Sequence, residues 1–351
     1  MSAPVPASVR LLFFAAAVAA LATGLLAGLA RLGFNFPAAT LAGQHGPLMI
    51  CGVFGTLISL ERAVAMGRRW PYLAPGLAAL GVVGVVAGLS PEWAALPFIA
   101  AAAVLSIASV KLWYGQKVMH LATLALASLL WLLGNLLWWR AGIALPAVPA
   151  WLGFLVLTIA GERLELSRFM PTLPSAHRLF AAWALLLTAG ALWPQPLLFA
   201  LALIGLVVWL LRHDIVRHTL RQKGLPRYIA VCLASGYVWL LASAVLMLLD
   251  GFAPQLQLRD ASLHALLLGF VFSMVFGHAP IVLPAVARLR LPYHPVLYVP
   301  LLVLQSSLAV RLLANGLGDF ALRQLAGLAN AAALLLFALT VLGLLLSARK
   351  N

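Results

Sequence analysis

Apolar residues fill the chain in long runs, and short breaks rich in proline, glycine and charge separate them, as in "GRRWPYL", "LSPEW" and "RLRLPYHP". A mostly apolar run of about 18 residues or more is long enough to cross a bilayer as a helix. The pattern predicts about twelve spanning helices, near residues 8–33, 38–62, 71–90, 92–112, 118–139, 147–166, 177–193, 194–212, 226–249, 260–284, 295–314 and 321–347.

The composition agrees with this pattern. Of the 351 residues, 64% are hydrophobic and 9% are charged, and the mean hydropathy is +1.06. A soluble fold has no interior large enough for so much apolar surface. We therefore expect an all-α integral membrane protein with the lipid bilayer as its main partner, forming one polytopic domain over residues 1–351. The longest polar interval, residues 212–227, predicts a short basic loop.

The net charge of +15 is distributed as in a membrane protein and does not indicate binding to nucleic acid. If the N-terminus is cytoplasmic, all but five of the 23 lysines and arginines lie on the cytoplasmic side. This bias predicts that both termini are cytoplasmic and that the basic loops touch anionic lipid. Residues 1–30 also fit a signal peptide, but their long apolar run favours a retained first helix. The five outer cations are Arg31, Arg140, Arg259, Arg311 and Arg323.

Several common chemistries are missing from the sequence. It has no P-loop, no dinucleotide fingerprint, no Cys-x-x-Cys motif and no nucleophile elbow. Its two cysteines, Cys51 and Cys232, fall inside predicted helices, so we expect buried packing residues and no disulfide. The candidate chemistry therefore rests on histidines within the membrane.

Two histidines share the outer depth of the predicted bundle. His45 lies near the outer end of the second helix, and His264 lies near the outer end of the tenth. Two imidazoles at one depth on different helices can clamp a planar cofactor such as haem. His278 follows His264 by 14 residues, which on a regular α-helix gives roughly 21 Å of separation and an angular offset of about 40°.

A stripe of mostly small residues follows His45 at helical spacing, and it would let a macrocycle lie close to the backbone. The corresponding positions after His264 form an apolar wall. The alternative for both histidines is a packing role with hydrogen bonds to backbone carbonyls. The stripe consists of Met49, Gly52, Thr56 and Ser59.

The segments "HGPLMICGVFGTLISLERA" and "HALLLGFVFSMVFGHAP" resemble two helices of the NnrS family. These are polytopic, haem- and copper-associated bacterial proteins linked to nitric oxide and nitrosative stress. The chain is also distantly similar to the catalytic subunit of haem-copper oxidases, where histidines of the second and tenth helices hold a haem. The resemblance implies haem b between His45 and His264, in a bacterial inner membrane, and a role in the nitric oxide response. Ser262 stands where the oxidases have a further histidine, so a complete oxidase-like centre is not expected.

Cations and carboxylates near these histidines extend the hypothesis. At the outer face, Arg311 and Arg259 are the candidates for binding haem propionates. In the cytoplasmic half, a second site for a transition metal such as copper is one interpretation, and a snorkelling ion network that includes Arg62 and Arg163 is the other. The residues of this second site are His278, His120, Glu61 and Glu162, with Glu165 nearby.

Weak internal repeats suggest how the helices are grouped. The second, sixth and tenth helices end in "SLERAVA", "AGERLEL" and "FGHAPIV". This spacing predicts three four-helix units around a pseudo-threefold axis. The alternative function is a proton-coupled secondary transporter that uses intramembrane histidine and glutamate. Transporters are usually built from two related halves, so a threefold repeat favours the haem protein.

Overall fold

The computed structural model describes residues 5–36, 39–167, 173–250, 258–287 and 291–348, and every regular element within them is helical. The first six long helices are α1 (Ala7–Arg31), α2 (Thr40–Met66), α3 (Leu73–Val86), α4 (Pro91–Gln116), α5 (Met119–Ala141) and α6 (Val148–Ser167). The next six are α7 (Pro174–Leu192), α8 (Pro196–His213), α9 (Leu225–Asp250), α10 (Arg259–Pro284), α11 (Tyr298–Leu317) and α12 (Phe320–Ala348). The expectation of an all-α, multi-pass membrane protein is confirmed.

Helix α3 is shorter than the sequence predicted. Within the described ranges, 11 helices are long and apolar enough to cross a membrane, and α3 is not among them. Its 14 residues span about 21 Å, against about 30 Å for the hydrocarbon core. The predicted end at residue 90 is wrong because Gly88 has a φ of +77° and stops the helix. The N–H groups of Gly88 and Leu89 cap it by donating to the carbonyls of Val85 and Gly84, each at 3.0 Å.

The chain, expected as one polytopic domain, separates into two compact units. The first comprises Met1–Gly161 with Ala285–Arg288, and the second comprises Glu162–Pro284 with Leu289–Asn351. In the first unit α2 packs against α1, α3 against α4, and α4 against α5. In the second unit α8 packs against α7 and α9, α9 against α10, and α11 against α12. The pseudo-threefold arrangement stays a prediction from the sequence repeats.

A single amide side chain joins four helices in the core of the first unit. Asn135 of α5 is fully buried. Its Oδ1 accepts hydrogen bonds from Cys51 Sγ of α2 at 3.1 Å and from Trp151 Nε1 of α6 at 2.9 Å. Its Nδ2 donates to the carbonyl of Phe98 in α4 at 2.9 Å. The polar group is thus satisfied inside the protein, as a membrane interior requires.

The second unit has a comparable link between an amide and a tryptophan. Gln305 of α11 accepts a hydrogen bond from Trp239 Nε1 of α9 and donates from Nε2 to Ser273 Oγ of α10 at 2.9 Å. Cys232 of α9 is buried with a free thiol, as Cys51 is in the first unit. The expectation that both cysteines are buried packing residues is confirmed.

Candidate functional site

Both helices that carry the outer histidines contain a π-helical segment of eight residues. In α2 the segment Leu48–Gly55 begins three residues after His45, and in α10 the segment Ala265–Phe272 begins directly after His264. Such wide turns are rare, and they occur frequently at functional sites. They also change the angular spacing of side chains, so the offset of about 40° calculated for a regular helix between His264 and His278 does not hold. Each of the two histidines therefore stands at the start of a widened stretch of its own helix.

His45 is held by helix α1. Its Nδ1 lies 2.7 Å from the carbonyl oxygen of Gly24, so the nitrogen carries the proton and donates it. The ring also lies directly over Gly28, where a Cβ atom would be only 2.8 Å from Nδ1 and Cε1. These contacts fix the ring and place its lone pair on Nε2, which is the atom that a metal would need.

The stripe of small residues after His45 is a packing surface between helices, so its interpretation as a surface for a macrocycle is wrong. A Cβ atom on Gly52 would lie 2.9 Å from Ala20 Cβ and 3.1 Å from Val82 Cγ2. Thr56 and Ser59 are buried as well. Small residues let helix backbones approach closely in a membrane. They serve here to seat α2 against α1 and α3.

His264 is held by its own helix, through one residue that contacts it twice. Its Nδ1 donates to the carbonyl oxygen of Asp260 at 2.7 Å and lies 3.2 Å from the Oδ1 atom of the same residue. As in His45, the neutral ring then has its proton on Nδ1 and its lone pair on Nε2. The sequence reasoning overlooked Asp260, although a spacing of four residues before a helical histidine was a usable signal.

The Asp260 carboxylate is also the partner of Arg311, one of the two expected propionate ligands. Arg311 Nε donates to Oδ2 at 3.0 Å, and its Nη2 donates to Oδ1 at 2.9 Å. Asn315 Nδ2 donates to Oδ2 at 3.1 Å. Arg259, the other expected propionate ligand, is half-buried in the first turn of α10. The structure therefore brings Arg311 to the candidate site through Asp260, and the propionate contacts stay a prediction.

The expected second metal site gains no support. His278 Nδ1 donates to the carbonyl of Met274 at 2.7 Å, which repeats the pattern of the outer histidines. In the part of the chain that the structure describes, no group of three or more His, Cys, Asp or Glu side chains could hold a metal ion. The site expected from His278, His120, Glu61 and Glu162 stays a prediction. A haem held by two histidines needs no such group.

A second buried ion network lies in the second unit, and its acidic residue was not predicted. Arg163 Nε and Nη2 donate to the two oxygens of Asp214 at 2.8 and 2.6 Å. Tyr237 Oη also donates to Asp214 Oδ2, and the backbone N–H of Val216 donates to Oδ1 at 3.3 Å. The sequence placed Arg163 in a possible snorkelling ion network beside Glu162, but it did not identify Asp214 as the partner. A lone acid in an otherwise basic loop was the available signal for Asp214.

Taken together, the spanning helices define a multi-pass α-helical membrane protein, and each of its two units contains a histidine-bearing helix with a π-helical segment. A family model described as a domain of unknown function, DUF8744, matches residues 10–346, and the chain therefore belongs to that family. No curated protein and no solved structure matches the chain.

Proposed function

We propose that this protein is a haem-binding membrane protein in which His45 and His264 are the axial ligands of haem b. The observation that carries the proposal is that each of these two rings stands at the start of a π-helical segment of eight residues, a position that the control histidine His278 does not share. Each donates its Nδ1 proton to a backbone carbonyl at 2.7 Å, which leaves the lone pair on Nε2. Histidines that ligate metals almost always donate their other ring N–H in this way. A π-helical segment follows each ring, which supports a specialised role for both positions.

The residues around the two rings fit this role. His45 is oriented by α1 through Gly24 and Gly28, and His264 is oriented by Asp260. Both ligands are therefore held by contacts within their own unit, which limits the entropy lost when they bind iron. When bound, the haem would supply an iron centre for electron transfer or for a small ligand. The resemblance to the NnrS family suggests nitric oxide as that ligand.

The test is the visible absorption spectrum of the purified protein and of two histidine variants. The reduced wild type should show the sharp bands of a bis-histidine haem. His264→Ala should lose the haem or leave it five-coordinate and high-spin. His278→Ala is the matched control, because that ring has the same hydrogen bond to a carbonyl four residues earlier in the same helix. It should leave the spectrum unchanged.

Two results would contradict the proposal. One is a wild-type protein that stays colourless when purified from haem-replete cells and after reconstitution with haem. The other is equal spectral damage in the His264 and His278 variants. The part that concerns nitric oxide has a separate test, which is titration of the reduced protein with the gas. An unchanged spectrum would restrict the haem to electron transfer.

Proton-coupled transport is the second candidate, and one observation favours it. The Arg163–Asp214 pair with Tyr237 is a buried ionisable network, and such networks often mark proton paths in transporters. If transport is the function, proteoliposomes should show substrate-driven proton movement that Asp214→Asn abolishes. A haem spectrum in the wild type, without such movement, would decide against transport.

A further inference from the structure

We infer that Asp260 is a positioning residue that sets the basicity of the His264 imidazole, and that Arg311 moderates its effect. The inference rests on the proposed function, because it assigns a role toward the haem iron through its ligand. Nδ1 of His264 lies 2.7 Å from the carbonyl oxygen of Asp260 and 3.2 Å from Oδ1 of the same residue. The proton on Nδ1 therefore faces both acceptors.

A hydrogen bond from Nδ1 to the carbonyl four residues earlier is shared by several helical histidines of this protein, including His213 with Trp209. His278 has its carbonyl hydrogen bond, to Met274, at the same 2.7 Å. His264 has the carboxylate in addition, and an anion near Nδ1–H makes Nε2 a more electron-rich donor. Pairing of carboxylate, histidine and metal is a recurrent way to raise ligand basicity.

Arg311 and Asn315 hold that carboxylate from the other side. The guanidinium forms a bidentate pair with both oxygens, and the Asn315 amide donates to Oδ2 at 3.1 Å. Asn315 is itself supported by Arg323, whose Nη1 lies 3.4 Å from Asn315 Oδ1. These contacts fix the direction of the carboxylate and share its negative charge. Arg311 therefore limits how far the carboxylate increases the electron density on His264 Nε2.

This arrangement predicts opposite effects of two substitutions on the redox midpoint potential of the haem-loaded, full-length protein. Asp260→Asn keeps an oxygen near Nδ1 but removes the negative charge, so the oxidised iron is stabilised less relative to the reduced iron. The expected change is about tenfold in the equilibrium between the two oxidation states, which is an upward shift of about 59 mV for one electron. Haem affinity should fall about 10- to 100-fold. Arg311→Gln should shift the potential downward, because the carboxylate is then no longer shared.

A control and a charge-preserving variant separate positioning from a general field effect. Asp319→Asn removes an exposed carboxylate of the same unit, one that accepts from the N–H of Leu322, and it should leave the potential unchanged. Asp260→Glu keeps the charge but moves the oxygens. If Asp260 positions His264, this variant should shift the potential toward that of Asp260→Asn and alter the EPR g-values of the ferric haem. If Asp260 acted only through its charge, the midpoint potential of Asp260→Glu would equal that of the wild type.

The outcomes that overturn the inference differ from those that overturn the proposed function. A wild-type protein that binds no haem would contradict both the inference and the proposed function. If the wild type shows a bis-histidine haem spectrum but has the same midpoint potential as Asp260→Glu and Asp260→Asn, the inference alone is contradicted. Shifts of the same sign in Asp260→Asn and Arg311→Gln would also remove it. If Asp260→Asn does not fold, the directions in which Asp260→Glu and Arg311→Gln shift the midpoint potential still test the inference.

Discussion

The second unit contains two bidentate arginine–aspartate pairs whose surroundings differ. In the pair of Arg163 and Asp214, both residues are buried, and the further contacts of Asp214 come from Tyr237 and a backbone N–H. In the pair of Arg311 and Asp260, the aspartate side chain is 31% exposed and one of its oxygens also faces His264. The Arg163–Asp214 pair is therefore enclosed in the protein, and we call it the closed pair. The Arg311–Asp260 pair also contacts the candidate ligand His264, and we call it the open pair.

This difference indicates different roles. A buried pair contributes little net stability compared with apolar residues, but loss of one partner leaves a charge with no compensation. A partly exposed aspartate can be rehydrated when its partner is removed, so its loss costs the fold less. We therefore expect the closed pair to control folding and the open pair to control the properties of His264.

The largest expected effect is that of Asp214→Ala. Removal of the carboxylate leaves the Arg163 guanidinium buried and unpaired, which should lower the free energy of unfolding by about 3–5 kcal/mol. Thermal unfolding in detergent measures this loss. The double variant Arg163→Leu with Asp214→Leu should recover most of it, since no buried charge remains. A double variant as unstable as the single one would mean that the ion pair is not the cause.

Tyr237→Phe comes next in size. It removes one hydrogen bond to a charged group, which should cost about 1.5–3 kcal/mol of unfolding free energy. Tyr114→Phe is the control, because Tyr114 is 66% exposed. The same unfolding measurement applies to both. Equal loss in the two variants would contradict a specific role for the contact between Tyr237 and Asp214.

The smallest expected effect is that of Asn315→Ala, which acts on the open pair. It removes a hydrogen bond to a carboxylate that is 31% exposed and leaves the bidentate contact with Arg311, so water weakens the lost bond and we expect a cost of about 0.5–1.5 kcal/mol. The denaturation midpoint in detergent checks this value. A loss as large as that of Asp214→Ala would show that the open pair is as important to folding as the closed one, and the comparison would fail.

The sequence predicted the helices well because the bilayer thickness fixes the length of an apolar run. Helix α9 was expected at residues 226–249 and is found at Leu225–Asp250. The π-helical segments could not be predicted, because hydropathy does not record which carbonyl an N–H group selects. The early end of α3 depended on the backbone conformation of Gly88, which a count of apolar residues ignores.

The candidate site was predictable only in part. His45 and His264 were chosen by their shared depth and by the family resemblance, and the structure adds the hydrogen-bond partner of Nδ1 in each ring. The partners were not found, because Arg163 and Asp214, like Asp260 and Arg311, are 51 residues apart in the sequence. Such pairs depend on tertiary packing. The stripe after His45 was misread, since small residues suit a cofactor and a neighbouring helix equally well.

The amide of Asn135 has a consequence for how the first unit assembles. Helices enter a membrane one after another, and an amide on α5 that faces hydrocarbon without partners costs several kcal/mol. That cost disappears only when α2, α4 and α6 have all arrived, because each supplies one of its contacts. Displacement of α5 by a single turn, about 5.4 Å, would expose the amide again. One residue thus makes the insertion depth of α5 and the arrival of its three neighbours a single cooperative event.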